Sequence, residues 1–276
     1  MRVSFALLTA AVVLPLSAQR SDPAAFLRSG RESSEPTVEA YRGMAYRPVR
    51  PGEVRSAGFL TELNLMPFGR LLGPVDPQLV HSSETAEAVF PGAVIGVQPP
   101  AGGSYQRGDT VMLALVVPAP RGWGDIVIPT GLARISDRSP RQTLATVISM
   151  FGPIRGGSQV VLPLEPVANP GEVRPVPISG PSGEVVTSRE PRDVAQVGEI
   201  IFISMGRAAG MRIGDFVELR RHAGPRLNGA DTVDDLMAVG QVVHVGEKSS
   251  TIKLTRVIDP GVRAGTPVVR VATLPS

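Results

Sequence analysis

The chain has no cysteine among its 276 residues. It can therefore form no disulfide bond and no cysteine-ligated metal site, and it cannot carry the cysteine-linked lipid of a bacterial lipoprotein. Any folded domain in this chain must be held together by the packing of its core alone.

Aromatic residues are scarce, and the basic residues are not clustered. Phe, Trp and Tyr make up 4% of the chain, with Trp123 the single tryptophan, which is too few for a surface that stacks nucleic-acid bases. The pI is about 9.8, but two of the 28 basic residues are lysines and the other 26 are arginines scattered along the chain. Because nucleic-acid-binding proteins concentrate basic charge on one surface, we expect no nucleic-acid partner.

Glycine and proline are abundant, with 30 and 27 residues, and apolar residues reach 42%. That content is enough for a packed core, so the composition favours turn-rich β structure over disorder. After Gly52, short apolar runs are broken about every eight to twelve residues by turn-forming residues, as in consecutive strands. Helical features occur only in two short stretches, Pro77–Phe90 and Thr232–Met237.

The first 18 residues, MRVSFALLTAAVVLPLSA, have the pattern of a signal peptide. Arg2 supplies the positive start, an apolar run too short to span a membrane follows, and Ser17 and Ala18 end it. We expect cleavage near residue 18, with an uncleaved anchor as the alternative. The mature chain would then be periplasmic or extracellular, without a transmembrane segment. Residues 19–51 are polar and aperiodic, which predicts a disordered linker.

An internal repeat is the strongest signal in the sequence. The copies share glycine spacings and a Gly-Asp pair that precedes an alternating apolar run. The matching glycines are Gly92 and Gly108 with Gly198 and Gly214, 16 residues apart in both copies, and Gly131 and Gly156 with Gly240 and Gly265, 25 apart in both. We interpret the chain as one small β unit present twice.

The repeat divides the mature chain into a first β unit with an N-terminal extension (52–166), a Pro/Gly-rich linker (167–190) and a second β unit (191–276). Each unit has room for five or six short strands. An open sheet of that size would expose long edges, so we predict a mostly β fold built as a tandem pair of small β-barrel-like domains. A sandwich formed between the two copies is the alternative. Residues 183–190 could also supply a strand to one barrel.

Several runs carry a family resemblance. The runs GRLLGPVDPQLV, VQPPAGGSYQRGDTVML and FGPIRGGSQVVLPLEP resemble the region that follows the LysM module in bacterial LysM-containing cell-envelope proteins. The run VGEIIFISMGRAAGMRIGDFVELRR also resembles the C-terminal domain of the flagellar assembly protein T family. The resemblance covers roughly residues 52–274 and implies a β fold in the cell envelope. No LysM-like pattern precedes residue 52, so glycan binding by LysM does not carry over.

Residues suited to catalysis or metal binding are few. His81, His222 and His244 lack the spacing of a metal site, and His222 and His244 are expected to face solvent. No G-x-S-x-G nucleophile motif occurs. We therefore predict no catalytic residues and no cofactor. The only clustered acids, Asp125 with Asp234 and Asp235, leave open an envelope glycan hydrolase as the alternative.

Two short motifs are interpreted as turns. Arg107-Gly108-Asp109 spells an adhesion tripeptide, but the second copy has Ile213-Gly214-Asp215 at this point, so Gly108, Asp109, Gly214 and Asp215 are predicted structural turn residues. The run from Gly246 to Ser249, GEKS, resembles a phosphate loop faintly, and we predict a hairpin turn there.

The function we expect is a non-catalytic periplasmic or cell-surface module, a scaffold or binding surface for an envelope protein or peptidoglycan. The sequence does not indicate an oligomeric state.

Overall fold

The computed structural model describes residues 48–75, 88–138, 142–164, 166, 175–222, 224–225, 231–232 and 235–274. The predicted signal peptide and most of the predicted linker over 19–51 lie outside these residues. The described chain is mostly β and begins with a short helix, α1 (Pro51–Ala57). Pro51 occupies the first helical position, and the Glu53 carboxylate accepts the Arg50 N–H at 2.9 Å, so both features favour a helix start here.

The first half of the chain forms a closed barrel. Its strands are β1 (Phe59–Leu60), β2 (Gly69–Pro74), β3 (Ala88–Val89), β4 (Val94–Gln98), β5 (Thr110–Pro118), β6 (Asp125–Arg138), β7 (Thr143–Met150), β8 (Ile154–Arg155) and β9 (Val160–Pro163). Six of them pair antiparallel in the order β6-β5-β9-β2-β4-β7, and β7 pairs back to β6. β1 adds to β6 from outside, and β3 pairs with β8.

The second half forms another closed barrel. It contains β10 (Val176–Pro177), β11 (Ser182–Ser188), β12 (Ile200–Ile203), a 3-10 turn (Arg207–Ala209), β13 (Phe216–Arg221), β14 (Gly224–Pro225), β15 (Asp231–Thr232), β16 (Asp235–Val245), β17 (Ser250–Val257) and β18 (Pro267–Thr273). The closed order is β16-β13-β18-β11-β12-β17, and β17 pairs back to β16.

The two barrels have the same strand order. β2, β4, β5, β6, β7 and β9 of the first correspond in turn to β11, β12, β13, β16, β17 and β18 of the second. The predicted duplication and the tandem pair of barrels are confirmed, and the sandwich alternative is wrong because each sheet closes on itself.

Close-packed aliphatic side chains fill both interiors. Val111 and Leu113 of β5 point inward and are 1% and 0% exposed, and Val217 and Leu219 of β13 are both 0% exposed. These are the alternating positions that follow the two Gly-Asp pairs. Burying one such side chain stabilises the fold by about 1.5–3 kcal/mol, so a disulfide is not required to hold either barrel.

Two boundaries differ from the sequence prediction. β11 lies inside residues 167–190, the predicted linker, so the alternative that residues 183–190 supply a strand is confirmed, and the second barrel extends upstream of residue 191. Of the two stretches with helical features, Thr232–Met237 is not a helix, because residues 235–237 belong to β16, and most of Pro77–Phe90 lies outside the described residues. Pairing of β16 with β13 and β17 outweighs the local helical features.

The glycine alignment of the repeat also needs correction in its second half. Gly108 N–H donates to the Ile135 carbonyl at 2.9 Å, and Gly214 N–H donates to the Val242 carbonyl at 2.8 Å, so Ile135 and Val242 are equivalent. Gly131 precedes Ile135 by four residues, but Gly240 precedes Val242 by only two. The two glycines are not equivalent, and their equal distance from the next glycine is coincidental.

Candidate functional site

The Gly-Asp pairs form matching turns in the two barrels. Gly108 and Gly214 have φ of +96° and +94°, in the region that favours glycine. The following aspartate accepts a hydrogen bond from the N–H three residues earlier, at 2.7 Å for Asp109 and 3.0 Å for Asp215. Their carboxylates are therefore engaged by the turn backbone. Arg107, the first residue of the RGD tripeptide, is exposed.

Asp215 also accepts hydrogen bonds from two side chains. It is fully buried, and its oxygens accept hydrogen bonds from Arg270 Nη1 at 3.2 Å and Thr273 Oγ1 at 2.7 Å. Asp109 is exposed. The same turn thus carries a more extensive buried polar network in the second barrel than in the first.

The same type of glycine turn precedes two further strands of each barrel. Each of these glycines has positive φ and donates its N–H to a carbonyl of a neighbouring strand. They are Gly92 and Gly198, which donate to Val147 and Leu254, and Gly157 and Gly265, which donate to Leu71 and Val185. The repeated turn is a device for starting strands, and its geometry presents no ligand site.

Two of the three predicted acids, Asp125 and Asp235, lie in different barrels. Asp125 begins β6, where its N–H donates to Thr61 Oγ1 at 2.9 Å, and Asp235 begins β16 and is exposed. Ile126 packs in one cluster with Val243, which lies eight residues along β16 from Asp235, about 25 Å at the usual strand rise. A glycosidase needs its two carboxyl groups within about 10 Å. Asp234 lies outside the described residues.

The histidines have different environments. His222 is exposed, and His81 lies outside the described residues. The prediction that His244 faces solvent is wrong, because it is partly buried and stacks on Phe59 with 4.9 Å between ring centroids and 16° between planes. Burial lowers the pKa of His244 to about 4, although the charge of Glu62 acts in the opposite direction. Within the described part of the chain, no group of three or more His, Asp and Glu side chains is placed to hold a metal ion.

The segment that precedes the first barrel joins the two barrels. We call residues 48–63 the strap. Its apolar side chains share one buried cluster with Ile126 of the first barrel and with Phe202 and Val243 of the second. The contributing strap residues are Val49, Val54, Ala57 and Leu60. This cluster is a third core, formed only where both barrels meet the strap.

Polar contacts fix the strap to the second barrel. Thr251 Oγ1 donates to the Gly58 carbonyl at 2.8 Å, and Arg189 Nη1 donates to the Ser56 carbonyl at 3.0 Å. Lys253 Nζ lies 2.7 Å from Glu53 Oε1. The hydrogen bond of Thr251 is buried, so water does not compete with it.

The strap ends in a carboxylate bound by a turn of the second barrel. Glu62 is 9% exposed and lies against the turn between β16 and β17, residues 246–249. Its Oε1 accepts hydrogen bonds from Lys248 N–H at 3.0 Å, Ser249 N–H at 2.8 Å and Ser249 Oγ at 2.6 Å. Its Oε2 accepts one from Glu247 N–H at 3.2 Å. Three successive backbone N–H groups and a hydroxyl therefore enclose one carboxylate, as in an anion-binding nest.

The charge of Glu62 is stabilised at a conformational cost. Burial by itself would raise the pKa of Glu62, but the hydrogen bonds from Ser249, Lys248 and Glu247 outweigh it and hold the pKa below its usual value. Glu62 and Leu63 both have positive φ, +55° and +66°, which costs on the order of 1–2 kcal/mol per non-glycine residue. The turn therefore binds a carboxylate whose own residue has a strained backbone conformation.

The sequence analysis did not identify Glu62, but it predicted the hairpin turn that binds Glu62. The hairpin turn predicted for residues 246–249 is confirmed, since Val245 pairs with Ser250. Its resemblance to a phosphate loop reflects a real property, because its N–H groups converge on an anion. The anion is the carboxylate of Glu62, which lies in the region that the sequence predicted only as an N-terminal extension of the first β unit.

No protein-family model matches the chain, and no curated protein matches it. The resemblance to LysM-associated envelope regions and to the flagellar assembly protein T family therefore stays a prediction. Among the helices of the described residues, none has the length and apolar character needed to cross a membrane.

Proposed function

We propose that this chain is a non-catalytic module of the bacterial cell envelope, a two-barrel scaffold that presents one fixed binding surface to an envelope protein or to peptidoglycan. The signal-peptide pattern supports the compartment. The observation that carries the proposal is the strap, which ties both barrels into one cluster and anchors Glu62 in the second barrel.

Filled barrel interiors leave the outer surface for binding. Ile95, Leu71 and Leu113 in the first barrel and Ile252 and Leu254 in the second are 0% exposed. A partner must then bind loops or outer strand faces. Two barrels on a flexible linker would present two independent surfaces, but a strap that packs against both holds their surfaces in one arrangement.

Two exposed leucines lie at the end of the strap and just after it. Leu63 is 68% exposed and Leu65 is 101% exposed, directly after the anchored Glu62. Anchoring Glu62 fixes the direction of the chain at this point and holds both leucines outward. Large apolar side chains held in this way are typical of a protein-contact surface.

Crosslinking in the cell tests the protein-binding form of the proposal. A photoreactive amino acid at Leu65 should capture one envelope protein, and the same group at the exposed Asp137 on the first barrel should not. Equal capture at both positions, or none at Leu65, would count against a protein-binding surface there.

Sedimentation with purified peptidoglycan tests the other form. The mature chain should pellet with the sacculus if the glycan is its ligand, and it should stay in the supernatant if the partner is a protein. A zymogram on the same material addresses catalysis. A lytic zone lost in Asp125→Asn would replace the scaffold proposal with the hydrolase alternative.

A further inference from the structure

The turn over residues 246–249 keeps its shape through contacts within the second barrel. Gly246 N–H donates to the Ser249 carbonyl at 2.8 Å, which closes the turn. The Gly246 carbonyl accepts the Arg207 N–H at 2.9 Å, and the Glu247 carbonyl accepts the Ala208 N–H at 3.0 Å. With these carbonyls held on the far side, the N–H groups of residues 247–249 face Glu62. The binding groups are therefore arranged without help from the strap.

The ligand geometry fits a planar carboxylate. One oxygen takes three donors, from Lys248 and Ser249, and the other takes a single N–H from Glu247. A carboxylate oxygen can accept more than one hydrogen bond, so the second oxygen retains capacity for another donor. A phosphate group carries additional oxygens, whereas the four donors of this turn are all taken by the two oxygens of one carboxylate.

Binding of Glu62 requires the strained positive φ angles of Glu62 and Leu63. A carboxylate on a separate molecule would bind without that strain. A tethered ligand normally outcompetes a free one because its effective concentration reaches the millimolar range. Strain in the tether reduces that advantage. Arg207 beside the turn pairs with the Glu247 carboxylate, and Lys248 within the turn adds a second positive charge, so the three side chains together carry a net positive charge that attracts an incoming anion.

We propose that the turn formed by Gly246, Glu247, Lys248 and Ser249 is an exchangeable carboxylate-binding site, that Glu62 is its resident internal ligand, and that the carboxylate of another molecule can displace Glu62. Displacement would release the end of the strap from the second barrel and change how Leu63 and Leu65 are held. This inference depends on the geometry of the turn and not on the envelope assignment, so either can fail alone.

Removal of the internal ligand provides the test, with acetate as the probe and sodium chloride at the same ionic strength as its reference. In the mature chain, Glu62→Ala should lower the melting temperature, and acetate should restore part of the loss. In NMR spectra of this variant, acetate should move the amide signals of Lys248 and Ser249 to saturation. The wild type should show the same movement with roughly tenfold weaker apparent affinity, because the tethered carboxylate competes.

Two matched variants separate site binding from a general salt effect. Glu53→Ala removes another strap carboxylate, which contacts Lys253 and the Arg50 N–H, and leaves Glu62 bound in the turn, so acetate should not restore its stability. Gly246→Ala in the Glu62→Ala background places a methyl group where the carboxylate oxygen lies and should abolish the acetate response. Should Glu62→Ala fail to fold in chloride, Glu62→Gln keeps the shape of the side chain, and acetate should displace its neutral amide more readily than it displaces Glu62.

The proposal fails if chloride and acetate act alike on Glu62→Ala, or if Gly246→Ala leaves the response intact. Movement in the variant with none in the wild type would show that Glu62 is not exchangeable and would also overturn it. Tighter binding of inorganic phosphate than of acetate would overturn the assignment to carboxylates.

Discussion

Ser249 donates two hydrogen bonds to the same oxygen of Glu62, one from its backbone N–H at 2.8 Å and one from its hydroxyl at 2.6 Å. The two residues are 187 positions apart in the chain. This contact joins the end of the strap to the second barrel, and the stability of the joint should depend on it.

Loss of the Ser249 hydroxyl should destabilise the protein. A hydrogen bond to a buried charged group contributes about 1.5–3 kcal/mol, so Ser249→Ala should lower the free energy of unfolding by that amount in urea denaturation. Ser250→Ala is the matched control. Ser250 is equally buried, but its hydroxyl has no hydrogen-bond partner among the described residues, so we expect a change below about 0.5 kcal/mol. Equal effects of the two substitutions would contradict the role given to Ser249.

Stability should decline on mild acidification because of His244. Its pKa of about 4 in the folded protein lies below the value near 6.5 in the unfolded chain, so the unfolded chain binds the proton first as the pH falls. The free energy of unfolding should be level above pH 7 and should fall by about 1–3 kcal/mol between pH 6.5 and 4, less than the full shift implies because the imidazole is partly exposed.

His244→Asn should flatten that part of the pH profile, and His222→Asn, at an exposed position, should leave it unchanged. Glu62 acts at lower pH. Because its folded pKa is lowered, its contribution is present above the unfolded value near 4.5 and is lost as the pH falls through the folded value. A profile that stays level down to pH 5 in the wild type would argue against burial of His244.

The two equivalent aspartates should differ in their effect on stability. Asp109→Ala removes a turn-capping carboxylate and should cost about 1 kcal/mol. Asp215→Ala also leaves the mostly buried Arg270 without its charged partner, so the loss should be about 3 kcal/mol. Thermal denaturation of the two variants in parallel measures the difference. Equal losses would show that the additional contacts of Asp215 contribute nothing.

The proposed export of the chain predicts a processed N-terminus. Mass spectrometry of the periplasmic protein should find its first residue at Gln19 or within a few residues of it. Intact protein beginning at Met1 in the membrane fraction would support the uncleaved-anchor alternative.

Glycine punctuation and alternation predicted the barrels because both signals are local. A glycine such as Gly108 is required where φ is positive, and alternation between β5 residues follows from the pleat. The glycine spacing misaligns the second half of the repeat because Gly131 and Gly240 are both glycines but occupy different positions in their barrels. α1 had a local signal, Pro51 followed by Glu53, within the region interpreted as linker and strands.

The site at the joint could not be predicted in the same way. Nothing near Glu62 in sequence distinguishes it from a surface glutamate, since its partners lie on a turn far along the chain. The turn did have a sequence signal for anion binding, because the run from Gly246 to Ser249 resembles a phosphate loop. Finding the ligand required knowing that the strap passes beside β16, which depends on how the two barrels pack.

The long separation between the strap and its turn has a consequence for biogenesis. During synthesis from the N-terminus, the strap emerges about 185 residues before the turn that binds Glu62. Until the second barrel has closed, Leu60 and Phe59 cannot pack against it. The contact between the strap and the second barrel must therefore form last. Contacts between residues so distant in sequence are slow to form. A chaperone that shields the N-terminal segment in transit would therefore act on the most vulnerable intermediate of this chain.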